Sequence, residues 1–126
     1  MTRYYDTLAE FERDGFTVIV DKTWEDTSPE DLFDDSVTDI KQMCRDINSG
    51  GLDWFMLRVR AFVDGLEMGS SIVGGYLYAD ARDVLKDGTA EDLIYEAIEE
   101  AKKNIYPLMK KLQAINEAIE QEGVVA

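Results

Sequence analysis

Eight apolar residues toward the C-terminus, Ile94, Ile98, Ala101, Ile105, Leu108, Leu112, Ile115 and Ile119, recur at alternating steps of four and three. This is the spacing of a helix that keeps one stripe turned to the same neighbour over many turns. Thr89 and Asp92 stand ahead of it at capping-box spacing. Pro107 interrupts the stripe, because proline lacks the N–H that a helix interior uses and its ring crowds the preceding turn. The apolar phase continues unchanged beyond the proline, so the spacing predicts one long helix kinked near Tyr106 and Pro107. Such a stripe must be covered. Either it packs on a sheet of its own chain, or the half beyond Pro107, with Leu108, Leu112, Ile115 and Ile119, meets a second copy in a homodimer.

The sheet is legible upstream. Trp54 to Val63 alternates, with Phe55, Leu57, Val59, Ala61 and Val63 on one face and Trp54, Met56, Arg58, Arg60 and Phe62 on the other. Asp64-Gly65 is a favoured hairpin turn, and Leu66 to Tyr78 forms the returning strand. Within it Gly69, Gly74 and Gly75 predict bulges or close backbone approach. Phe16 to Trp24, dense in β-branched and aromatic residues, is a further strand.

Three other segments read as helical. Tyr5 to Asp14 has Leu8 and Phe11 three apart and Gly15 as a stop. Ser28 and Pro29 start a helical turn; Ser36 with Asp39 repeats the capping-box spacing, and Val37, Ile40, Cys44 and Ile47 follow at helical intervals. Asp80 with Asp83 caps a short helix through Val84 and Leu85 that Gly88 stops. The expected order is helix, strand, helix, strand, strand, helix, helix. That is an α+β fold with a three-stranded antiparallel sheet packed by helices. At 126 residues and 45% hydrophobic, the chain suits one domain, 1–126, with one core.

Much chemistry is missing. The chain has no histidine, which removes the usual general base, the usual zinc ligand and every Ser-His or Cys-His nucleophile pair. The single cysteine, Cys44, lies on an apolar helical stripe and reads as core; alone it forms no internal disulfide. The glycines of 69–75 lie within a strand, and no phosphate-loop lysine follows them. Asp92, Glu96, Glu99 and Glu100 share helical spacing but have no Glu-x-x-His element beside them, so they read as a solvated face. The expectation is a binding protein with no catalytic residue, cofactor or metal. With no apolar leader and no run of about 18 apolar residues, it is expected in the cytoplasm.

Charge is the strongest departure from average. The chain has 27 acidic against 13 basic residues, a net charge of −14. Residues 1–53 alone hold 14 acidic and 5 basic residues. Within 25–39 the acids Glu25, Asp26, Glu30, Asp31, Asp34, Asp35 and Asp39 meet no basic residue at all. Such a field repels nucleic acid and anionic lipid and attracts basic proteins. Those seven carboxylates are therefore the candidate contact with a basic partner, itself one that binds nucleic acid, which they would engage as a mimic of DNA phosphates. Solubility is the plainer reading of the same acidity.

A second candidate patch is Trp54, Arg58, Arg60 and Phe62. If helices cover it, the arginines pair with helix acids; if it is open, it suits a protein partner. In size, acidity, absence of histidine and helix-plus-sheet build the chain resembles the small acidic inhibitors of mobile elements. These are the anti-restriction and anti-CRISPR proteins, some of which mimic DNA; bacterial immunity proteins against nuclease toxins share this character. The resemblance implies an inhibitor, of phage origin and working in the host cytoplasm, that occupies a nucleic-acid-binding surface. It rests on composition and transfers no individual residue.

Overall fold

Two Asp-Gly pairs, Asp14-Gly15 and Asp64-Gly65, set the architecture. In the computed structural model, which describes residues 4–27, 29 and 39–123, all four adopt positive φ: 55° and 87° in the first pair, 48° and 79° in the second. That is the backbone of a two-residue turn whose twist matches the strands it joins. The first joins β1 (Asp6–Arg13) to β2 (Phe16–Trp24), and the second joins β3 (Asp53–Val63) to β4 (Leu66–Tyr78). The result is a four-stranded sheet in the order β1-β2-β3-β4 with every neighbouring pair antiparallel.

Between β2 and β3 lies α1 (Ile40–Asn48). Its N-cap Asp39 accepts a hydrogen bond from the Gln42 backbone N–H at 3.0 Å. After β4 come a short 3₁₀ helix, Ala81–Leu85, capped by Asp80, and then α2 (Thr89–Gln121). α2 runs through Pro107 as one element of 33 residues, about 50 Å long at 1.5 Å per residue. It starts after Gly88 with no side-chain cap. The anticipated Thr89 cap is replaced from two residues earlier: Asp87 Oδ1 accepts the Thr89 N–H at 2.9 Å, and Asp87 Oδ2 accepts the Tyr78 hydroxyl at 2.5 Å.

The expected three-stranded fold and its element order are therefore corrected. The segment read as the first helix is β1, pairing with β2 along its length. The physical reason is a bulge between Thr7 and Ala9. It places Leu8 outside the strict alternation, so Leu8 and Phe11, three apart, both pack on the core with Ala9. Three-residue spacing imitated a helix. The segment read as a short helix at Asp80 is a 3₁₀ turn, and Ser28 and Ser36, proposed as caps, lie outside the described residues.

The core forms where one sheet face meets the first half of α2. Phe16, Val18 and Val20 of β2 and Phe55, Leu57, Val59 and Ala61 of β3 are buried against Ala90, Leu93, Ile94, Ala97, Ile98 and Ala101. This is the alternation read in β3. Small residues on the helix let the two backbones approach closely. At Gly69 of β4 the approach is closest, and an added Cβ would overlap the Ala97 carbonyl oxygen and lie 2.6 Å from Ala101 N.

Candidate interaction surfaces

The stripe on α2 is covered for only part of its length. Asn104 Nδ2 donates to the Met68 carbonyl at 2.6 Å, and Lys102 Nζ stands 3.8 Å from Asp14 Oδ2. Ile105 still packs on the core. These contacts lie beside the two hairpin turns, so the helix leaves the sheet at its hairpin end. From Tyr106 to Gln121 every residue except the half-buried Leu108 is exposed. The apolar ones include Met109 at 60%, Leu112 at 55%, Ile115 at 49% and Ile119 at 39% exposure. Pro107 stands at the exit.

Among the described residues, nothing outside α2 leaves more than Leu108 of this sixteen-residue tail even half-buried, so it lacks the tertiary support that normally holds a short helix, and isolated helices of about 12–15 residues are marginal in water. Its sequence is nonetheless amphipathic, continuing the stripe that the sheet covers upstream. Sequence reading found Leu108, Leu112, Ile115 and Ile119 here and missed Met109, which flanks the seam one residue after Leu108. Continuity of the apolar phase past Pro107 was its signal.

Of the seven acids in 25–39, three can be placed, and each has a role within the chain. Glu25 is half-buried: its Oε2 accepts the Gly75 N–H at 2.8 Å and its Oε1 accepts the Thr27 N–H at 3.0 Å. The carboxylate fills the space where a Cβ at Gly74 would go, and Gly75 turns with φ 79° to aim its N–H inward. The bulge predicted in β4 is thus a seat for Glu25. Asp26 accepts the Trp24 indole N–H at 2.6 Å, and Asp39 caps α1. Glu30, Asp31, Asp34 and Asp35 lie outside the described residues.

The second patch is built from within the sheet. Trp54 is 8% exposed, with its indole N–H on the Thr27 carbonyl at 2.8 Å, so it forms floor rather than rim. Arg58 and Arg60 both reach Asp21 Oδ2, at 2.6 and 2.9 Å, and Thr7 Oγ1 donates to Asp21 Oδ1. The Arg58 guanidinium sits over the Tyr5 ring, 3.5 Å from Cζ to ring centroid, and the half-buried Phe62 sits under Arg60 at 5.1 Å. The arginines were expected to pair with helix acids if covered. Their main partner is instead Asp21 of the neighbouring strand, itself 1% exposed. In β2 this residue alternates with Val18 and Val20 onto the opposite face, where cross-strand pairing sets it against Arg58. A single acid within a hydrophobic strand was the legible signal.

Beside this patch a cleft of about 380 Å³ lies between α1 and the sheet, lined by Glu25, Pro29, Cys44, Ile47 and Trp54 among others. Among the described residues no three Cys, Asp or Glu side chains converge as a metal would require. No helix among them is long and apolar enough to cross a membrane.

The solvent side of α2 over its first three turns carries Glu91, Asp92, Glu96 and Glu100 exposed and Glu99 half-buried. Arg13 holds Glu91 through two hydrogen bonds, at 2.8 and 3.3 Å, and lowers its pKa. Asp92, Glu96 and Glu100 have no ion pair among the described residues, and Glu96 accepts only the Ser71 hydroxyl at 2.7 Å. No protein-family model, curated protein or solved structure matches the chain.

Proposed function

We propose that this protein acts by binding, as a self-associating acidic protein: the tail of α2 joins two copies, and the head is left to engage a basic partner. The single observation that carries the reading is the apolar seam of α2, half-buried at Leu108 and exposed at Leu112, Ile115 and Ile119. A helix of this length gains most of its stability from packing an apolar face, and among the described residues of its own chain none covers that face beyond Leu108, so a second copy is proposed to supply the packing. Sedimentation equilibrium tests it. Wild type is expected to run as a dimer and Leu112→Asp as a monomer with an unaltered head, whereas a wild type monomeric at all concentrations would sink the reading.

A second reading concerns the head: an inhibitor that occupies the nucleic-acid-binding surface of a basic protein, as anti-CRISPR and anti-restriction proteins do. It is favoured by the uncompensated acids on α2, where Asp92, Glu96 and Glu100 recur about once per turn. Carboxylates at that interval offer a groove lined with Lys and Arg a substitute for phosphates. Asp31, Asp34 and Asp35, in the stretch of sequence without a basic residue, are further candidates on charge alone. Glu25, Asp26 and Asp39 contribute less, being engaged inside the chain. The test is capture from a lysate at about 0.15 M salt, near the physiological ionic strength, with wild type and with Asp31, Asp34 and Asp35 changed to Asn. A nucleic-acid-binding protein held by wild type, displaced by duplex DNA and lost with the variant is the expected outcome. Recovery of only the protein itself would leave self-association as its whole role.

A further inference from the structure

We infer that the second copy pairs antiparallel, each tail continuing beside the other's helix in the layer that the sheet occupies further up. This rests on the self-association reading and adds its geometry. The seam is one stripe: Ile94, Ile98 and Ala101 face the sheet and are buried, Ile105 is at the sheet's edge, and Leu108, Leu112, Ile115 and Ile119 follow on the same side. A partner helix that covers the tail therefore lies on the side where the sheet lies for the head. Paired helices sit about 8–10 Å apart, so a parallel partner, followed back toward its own head, would run into this sheet at the hairpin end. Its own sheet, which covers the same stripe, would have to occupy the place of this α2.

An antiparallel partner meets neither obstacle. Its helix, which ends at Gln121, stops where this sheet begins, and its head lies beyond this Gln121. The arrangement places Leu108 opposite Ile119 of the second copy, and Leu112 opposite Ile115 of the second copy. Four large aliphatic layers close around the two-fold axis, with Met109 beside them. The heads then stand apart by at least the length of the tail, about 24 Å. That exceeds the screening length of about 8 Å in physiological salt, which matters when each chain carries a net charge of −14.

Disulfide trapping reads the orientation. In a Cys44→Ser background, Leu108→Cys and Ile119→Cys proteins are prepared separately, mixed at equal concentration and oxidised gently. In one chain Leu108 is only half-buried and Ile119 is exposed, and neither belongs to the buried core, so each variant is expected to fold, with far-UV circular dichroism as the check. The expected product is the mixed 108–119 dimer, with little disulfide from either variant alone. Efficient 108–108 and 119–119 dimers would overturn the orientation and leave self-association standing. A monomeric wild type with no trapping above the level of a control cysteine at Glu10 would overturn both. A dimer that survives Leu112→Asp would place the contact elsewhere and overturn the inference.

Discussion

Gly69 is where α2 comes nearest to the sheet, and no side chain fits there. The atoms in the way are backbone atoms of Ala97 and Ala101, which cannot rotate aside. Gly69→Ala is expected to lower stability by about 3 kcal/mol, the upper part of the range for overpacked cores, read by urea unfolding with an unchanged m-value. A loss below about 0.5 kcal/mol, within the range of ordinary surface substitutions, would mean that the helix stands further from β4. The residues around Asp87 behave differently, since their link is electrostatic. The hydrogen bond from Tyr78 is the main cause that lowers the Asp87 pKa, and the same bond raises that of Tyr78. A lowered carboxylate pKa contributes stability that is fully present above the ordinary aspartate value of about 3.9 and is lost as pH falls through the lowered value. Tyr78→Phe is expected to move the Asp87 titration, followed by NMR, upward toward that ordinary value. An unmoved titration would assign the shift to the Thr89 N–H instead.

At the scale of elements, α2 is two different objects in one helix. Up to Ile105 it is a core element, and from Tyr106 it is a projecting arm. Proline in a helix interior leaves the carbonyl four residues earlier without its partner, here that of Lys103, whose side of the helix is exposed so that water can take the lost bond. Pro107→Ala is expected to raise helix content at 222 nm while leaving the unfolding midpoint of the head the same or higher. A lowered midpoint would show that the core uses the proline. β1 teaches the converse point about legibility. The Asp14-Gly15 turn and the Asp64-Gly65 turn are the same device, yet only the second was read as a hairpin. β3 alternates cleanly beside its turn, whereas the bulge at Leu8 hides the alternation of β1. A bulge is specified by the partner strand, and pairing does not appear in one-dimensional spacing.

For the whole molecule, the acidity and the seam pull in opposite directions. A net charge of −14 opposes association of copies, and an exposed apolar seam favours it. The proposed antiparallel pairing would reconcile the two by joining tails while separating heads. Dimerisation is therefore expected to tighten as salt rises from 0.05 to about 0.5 M, because screening removes head repulsion and leaves apolar burial intact. Weakening with salt, measured by sedimentation, would point to a contact held by ion pairs.

The amino-acid sequence by itself determined what depends on local period and composition. It gave away the alternation of β3, the Asp64-Gly65 hairpin, the helical spacing of Ile40, Cys44 and Ile47 in α1, the unbroken phase of α2 past Pro107 and the absence of imidazole chemistry. Tertiary structure alone decided what depends on which strand lies beside which. Pairing with β2 made β1 a strand, and cross-strand register gave Asp21, rather than a helix acid, to Arg58 and Arg60. The fold of β4 turned Glu25 from a candidate surface charge into the filling of a glycine seat. The end of the sheet decided where a continuous apolar stripe stops being core. Periodicity records which way a residue faces, and only packing records what stands there to meet it.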